Sequence, residues 1–233
     1  MMSVATTGKS EGNDQQWRGY VTTRRQGETS VEMRVTQNQA GTHIDWDHDG
    51  VTPRMIDWFW SNMEKANLLW HPEQHEPLEW YVRPEHGRIL GSVHIAPQTW
   101  DDGTRQNLYI KTQDPRELPR DITDLIVSSH CYIAGGYTED TIDHGEPMGY
   151  RIHQWQGTDA GVVGRSSALP GLKKDTPEEG LIWVEHCKQE IGNWGVFLPQ
   201  LYGLYRVVTN TSHNPFSDLT VERTEAGLRY RHT

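Results

Sequence analysis

The chain has 233 residues, a net charge of -10 and 34 % hydrophobic residues. That length fits one large domain, and no stretch approaches the roughly 18–20 consecutive apolar residues of a membrane-spanning helix. The acidic balance, with no Lys/Arg cluster to override it, argues against nucleic acid as a partner.

Residues 1–16 are polar, lack the apolar run of a secretory signal and read as a disordered leader, leaving 17–233 as a single catalytic domain. With no export or anchoring segment, a cytoplasmic location is expected. Cys131 and Cys187 are the two cysteines. They are too few for a disulfide framework and form no CxxC pair, which excludes zinc-finger chemistry and suits a reducing compartment. Twelve histidines and ten tryptophans are unusual usage. Together they suit a pocket with a metal or acid/base group beside flat apolar walls.

Short β-branched or alternating runs predict strands at 30–36, 88–96, 107–112, 125–134, 149–155, 219–224 and 227–231, separated by Gly, Asp and Pro turn signals. A first helix is expected from Thr52 as N-cap and Pro53, with Met55, Trp58, Phe59, Met63, Ala66 and Leu69 on one face. Pro72 should end it at or before His71. A second helix starts on the capping box Thr176-Pro177-Glu178-Glu179 and should run to about Leu198, where Pro199 interrupts it or begins a new turn. Gly192 and Gly195 each cost about 1 kcal/mol relative to Ala in a helix, which points to close packing or a bend. The sum is an α+β fold in which a curved, mainly antiparallel sheet wraps a long helix.

His186 and Glu190 stand four apart, on one face of the second helix with Trp183, Trp194 and Phe197 on or near it. A carboxylate among aromatics needs a partner charge or a metal. Just after the first helix, Trp70-His71-Pro72-Glu73-Gln74-His75 offers a further ligand from either histidine. On a predicted strand, His94 and Gln98 follow. His130 sits in an apolar run, as a satisfied core residue or as an acid/base group. His43, His48, His86, His144, His213 and His232 lie among polar turn residues and read as surface. No GxSxG, Walker-type loop, GxGxxG after a strand or HExxH is present.

These segments resemble the diacetylphloroglucinol hydrolase family, which includes phloretin hydrolase. The likeness is carried by Ile56-Asp57-Trp58-Phe59-Trp60, Asn67 to His75, Gly91-Ser92-Val93-His94, Asn107-Leu108-Tyr109-Ile110, and His186-x-x-x-Glu190 with Phe197-Leu198-Pro199-Gln200-Leu201-Tyr202. It spans roughly 53–205. The resemblance implies a Bet v 1-like helix-grip fold, commonly a homodimer. It also implies a zinc site of two His and two Glu, and hydrolysis of the carbon–carbon bond joining an acyl group to a phenolic ring. Small aromatic or polyketide-type substrates go with it, and a cyclase or isomerase working in the same cavity is the alternative. By motif His75, His186 and Glu190 are ligands, and His130 contacts substrate as the catalytic acid/base. His71, Trp183 and Trp194 line the substrate. The chain departs from the family twice. Gln98 stands where a second ligand Glu is expected, and Asn67 stands at a substrate contact that is often tyrosine.

Overall fold

The computed structural model describes residues 33–85, 88–209 and 219–232. The expected leader, the start of the 30–36 strand, His86 and His213 fall outside these residues. Eight strands form one antiparallel sheet: β1 (Met33–Gln37), β2 (Thr42–Asp49), β3 (Glu79–Val82), β4 (Val93–Thr99), β5 (Arg105–Thr112), β6 (His130–Tyr137), β7 (Gly149–Gly157) and β8 (Gly161–Pro170). Their spatial order is β1-β2-β8-β7-β6-β5-β4-β3. Against the sheet lie α1 (Pro53–Trp60), α2 (Asn67–Trp70) and the 33-residue α4 (Pro177–Thr209); the short α3 (Arg120–Thr123) connects β5 to β6. A hairpin, β9 (Leu219–Thr224) with β10 (Gly227–His232), follows. This is the α+β helix-grip architecture, a large antiparallel sheet closing on a long helix.

The predicted capping box forms: the Glu179 N–H donates to Thr176 Oγ1 at 3.2 Å, and the Thr176 N–H donates to Glu179 Oε2 at 2.8 Å. Helix α4 does not stop at Pro199. The proline deletes one backbone bond, while Leu198 buried before it and Tyr202 against Trp58 after it (5.9 Å between rings) hold the helix through the gap. The first helix, by contrast, breaks after Trp60, and a 3-10 turn over Met63–Lys65 separates α1 from α2. Ser61 Oγ donates to Asp57 O and Asn62 Nδ2 to Trp58 O, so side chains compete for the carbonyls that would continue the helix.

Three strands carry no clear sequence signal, and β2 is the instructive one. Its Ile44, Trp46 and His48 face α4, while Asp45 and Asp47 alternate onto the other face. This strand also corrects the reading of His43 and His48 as surface residues, since they are only 4 % and 1 % exposed. His43 Nδ1 meets Ser167 Oγ at 2.9 Å, and His48 lies under Gly195 of α4. A Cβ at Gly195 would stand 2.0 Å from His48 Cε1, whereas one at Gly192 meets nothing within 4 Å. Close packing therefore explains the first glycine, and nothing in the structure explains the second.

The core joins the inner sheet face to α1, α2 and α4 through Phe59, Trp60, Trp70, Trp155 and Trp194. Such a ring buries about 150–250 Å², roughly 4–6 kcal/mol of transfer free energy before conformational entropy is subtracted. Trp70 stacks on Trp194 at 6.1 Å and 12°, which fixes the end of α2 against α4. That contact places the turn after α2, with His71 and His75, over the middle of the long helix. No helix of the described residues is long and apolar enough to cross a membrane.

Candidate metal centre

His186 and Glu190 project from one buried face of α4, and His75 meets them from the turn after α2. The Nε2 of His186 stands 3.1 Å from Glu190 Oε1, and the Nε2 of His75 stands 3.4 Å from the same oxygen. The two Nε2 atoms are 3.4 Å apart. All three side chains are only 5–6 % exposed.

Their outer atoms decide what the inner ones are. His75 Nδ1 faces the backbone oxygen of Asn67 at 3.0 Å, an acceptor only, so that nitrogen carries the proton. His186 Nδ1 faces Gln74 Oε1 at 2.7 Å. Gln74 cannot be turned around, because its Nε2 donates to Asp101 Oδ1 at 2.7 Å. Both neutral rings therefore aim unprotonated Nε2 lone pairs at each other and at a carboxylate. Three lone pairs converge, and a positive charge has to lie among them.

That charge is either an added proton or a cation. Charge-assisted N–H···O bonds are about 2.7–2.9 Å long, shorter than these contacts. Ligand atoms about 2.0–2.1 Å from a tetrahedral zinc ion stand about 3.3–3.4 Å from one another. The triangle has the size of a tetrahedron's face, and two imidazoles with one carboxylate are a donor set suited to zinc. The outward N–H bonds of both rings are the kind that orient metal-ligating histidines. Burial alone would raise the Glu190 carboxyl; positive charge beside it, on the side that faces His186 and His75, outweighs burial and holds the group below the usual carboxylate range.

Gln98 lies opposite His75 in an isolated antiparallel bridge and is 7 % exposed. His94, four residues earlier on β4, shares its face of the strand. Burial, with the nearby His75 charge, pushes the His94 ring down to about 3, and its edge meets Trp80 at 5.8 Å. His71 stacks on His186 at 4.6 Å and 14°; burial and then the His186 charge push it down to about 4. The Asn67 side chain donates to Glu76 O at 2.9 Å, holding the turn that carries His75. Trp183 lies under the Arg151 guanidinium at 5.4 Å, and Trp194 is fully buried in the core.

His130 is the first residue of β6 rather than the middle of a strand. Its Nδ1 meets Asp57 Oδ1 of α1 at 2.9 Å, and its ring stacks on Trp155 at 5.9 Å. The next position on the same face of β6 is Tyr132, on which Trp60 stacks at 3.9 Å and 9°. No contact among the described residues joins His130 to the triad. A separate groove of about 570 Å³, lined by residues including Asp45, Val163 and Arg165, contains none of these groups, and its Asp45 and Arg165 are paired with each other.

Gln74, Asp101, the backbone oxygen of Asn67 and Asp57 carry supporting roles that the sequence alone does not assign. Gln74 was discoverable in principle, since it lies inside the turn already singled out, next to the ligand it supports. Asp101 and Asp57 gave no local signal, standing 27 and 73 residues from their partners.

Protein-family models and curated proteins gave no match to the chain. Solved structures align with it at low identity. Protein Ms6760 from Mycobacterium smegmatis is 12 % identical, with 73 % of this chain and 98 % of that one covered and a TM-score of 0.46. Major latex-like protein 151 from Panax ginseng is 12 % identical over 71 % and 97 %, with a TM-score of 0.42. Norcoclaurine synthase from Thalictrum flavum, in complex with dopamine and hydroxybenzaldehyde, is 14 % identical over 88 % and 98 %, with a TM-score of 0.38. The neighbours include Bet v 1-like proteins, and the likeness is one of general architecture.

Proposed function

We propose that the protein is a zinc-dependent hydrolase that cleaves the bond between an acyl carbon and the ring carbon of an acylated polyphenol or related polyketide-type ketone. The observation that carries this reading is the convergence of His75, His186 and Glu190 with both ring protons held outward. Bound zinc would polarise an acyl carbonyl and lower the pKa of a water.

The remaining work belongs to side chains. Asn67 O and Gln74 keep the two imidazoles in the ligating tautomer. In its keto form an acylphloroglucinol-type ring makes the scissile bond that of a β-diketone. Water adds to the acyl carbon, the carbon–carbon bond breaks, and its electron pair goes to the ring carbon, which takes up a proton. The products are a carboxylic acid and the phenol. His130 is the group for that proton: with Nδ1–H directed at Asp57, its Nε2 is left to receive a proton and pass it on.

The test is metal analysis of the purified protein, followed by product analysis with an acylphloroglucinol. One equivalent of zinc and release of a carboxylic acid are expected, and His186→Ala should lose both. A His186→Ala protein that kept zinc and full activity would refute the assignment. A product isomeric with the substrate would transfer the site to cyclase or isomerase chemistry. Self-association as a homodimer belongs to the same proposal, and light scattering on the eluting protein would measure it.

A further inference from the structure

His71 stands four residues before His75 but is not one of the three converging groups. The backbone N–H of Gln74 donates to its Nδ1 at 3.2 Å. Only an unprotonated nitrogen accepts such a bond, so the neutral ring carries its proton on Nε2. His75 has the opposite tautomer, with Nδ1–H directed at Asn67 O. One turn thus presents a lone pair from one histidine and an N–H from the other.

That N–H is buried and has no acceptor among the described residues. Buried donors are nearly always paired, and an unpaired one is costly enough to need an explanation. The ring lies nearly parallel to His186 and 5.4 Å from His75, so it borders the space that the ligand atoms enclose. In a parallel stack the N–H points along the ring plane, so the face of His186 does not serve as its acceptor. With its proton on Nε2 and its other nitrogen occupied, His71 has no lone pair to offer a metal.

We propose that His71 is the hydrogen-bond donor of this site. Its Nε2–H holds an oxygen of a carbonyl, phenolate or carboxylate ligand bound beside His75, His186 and Glu190. The proposal rests on reading the triad as a metal centre, but not on which bond the enzyme breaks. Acetate, a minimal form of a carboxylic acid product, is the probe.

Two measurements on the full-length protein test it. Long-range proton–nitrogen correlation spectra of ¹⁵N-histidine-labelled, zinc-loaded protein should show His71 protonated on Nε2, and His75 and His186 on Nδ1. In the cobalt-loaded protein, acetate binding is read from the visible absorption bands. His71→Ala should weaken acetate about 10–100-fold with cobalt content unchanged, and His71→Gln, which restores an N–H, should recover most of the loss. An unchanged acetate affinity in His71→Ala, or a His71 proton on Nδ1, would overturn the proposal. Failure of the wild type to take up cobalt would count against the metal centre itself. Acetate binding would then be followed at the His71 Nε2–H resonance, and a resonance that stays still would overturn the proposal too.

Discussion

Two histidine–carboxylate contacts in this molecule look alike in chemical type and differ in almost everything else. At the triad the N···O distances are 3.1 and 3.4 Å and the side chains are nearly sealed from water. At His130 and Asp57 the distance is 2.9 Å, and the side chains are 34 % and 44 % exposed. The shorter contact is an ordinary hydrogen bond that water screens, contributing about 1 kcal/mol or less to stability. The longer contacts lie in a dry interior where an unbalanced charge is felt strongly. They are longer than charge-assisted hydrogen bonds and of the size that surrounds an ion. A closed site with fixed tautomers suits holding a cation, and an open pair suits passing protons. Contact length alone is a poor guide to which pair matters more.

The sharpest way to break this division of labour is Asp57→Asn. The amide can donate as well as accept, so it no longer fixes the His130 proton on Nδ1 to leave Nε2 free. Turnover is expected to fall about 100-fold, within the range that a positioned acid/base contributes. Zinc content should not change, because the triad does not touch Asp57. Loss of zinc in this variant would show that the two regions are one unit and would sink the assignment of separate roles.

Acid should separate the closed interior from the open pair. Burial pushes the rings of His94 and His153 down to about 3 and about 4, against about 6.5 in the unfolded chain. Both are neutral when folded, so their contribution to stability is fully present above pH 6.5. As pH falls below that value the unfolded chain takes up protons that the folded chain does not, and stability drops until the folded values are passed. Each group costs about 1.4 kcal/mol per pH unit across that window. Urea unfolding of the metal-free protein at pH 7, 6 and 5 would measure the slope, and a flat profile would mean that these interiors are wetter than the structure has them.

How much of this was legible depends on how local each signal is. His186, Glu190 and the capped start of α4 follow from spacings of three and four residues, which a helix converts directly into shared faces. The break in the first helix was hidden because Ser61 and Asn62 act through side-chain bonds that an apolar periodicity does not weigh. Strand β8 was hidden because Gly164 and Ser166 are small and polar for tertiary reasons: the Trp46 ring covers Gly164, and Ser166 Oγ accepts from Trp46 Nε1 and bonds His153. Choosing between His71 and His75 by chemistry alone required knowing which ring nitrogen meets a backbone N–H and which a carbonyl. The order of residues carries no such information.

The smallest expected effect concerns Gln98. Gln98 is backbone-paired with His75, one of the three converging groups, and is buried. Gln98→Glu adds a second buried carboxylate on the strand that pairs with His75. With metal bound, the added charge should tighten zinc on the order of tenfold, about 1.4 kcal/mol. Without metal, two carboxylates are buried with nothing added to balance them, so the metal-free protein should be less stable than wild type. Competition with a chelator measures the first effect and thermal unfolding the second. The two should move in opposite directions, widening the gap in Tm between loaded and metal-free protein. An unchanged gap would mean that residue 98 does not reach the ion, leaving a three-ligand centre with its fourth position open to substrate.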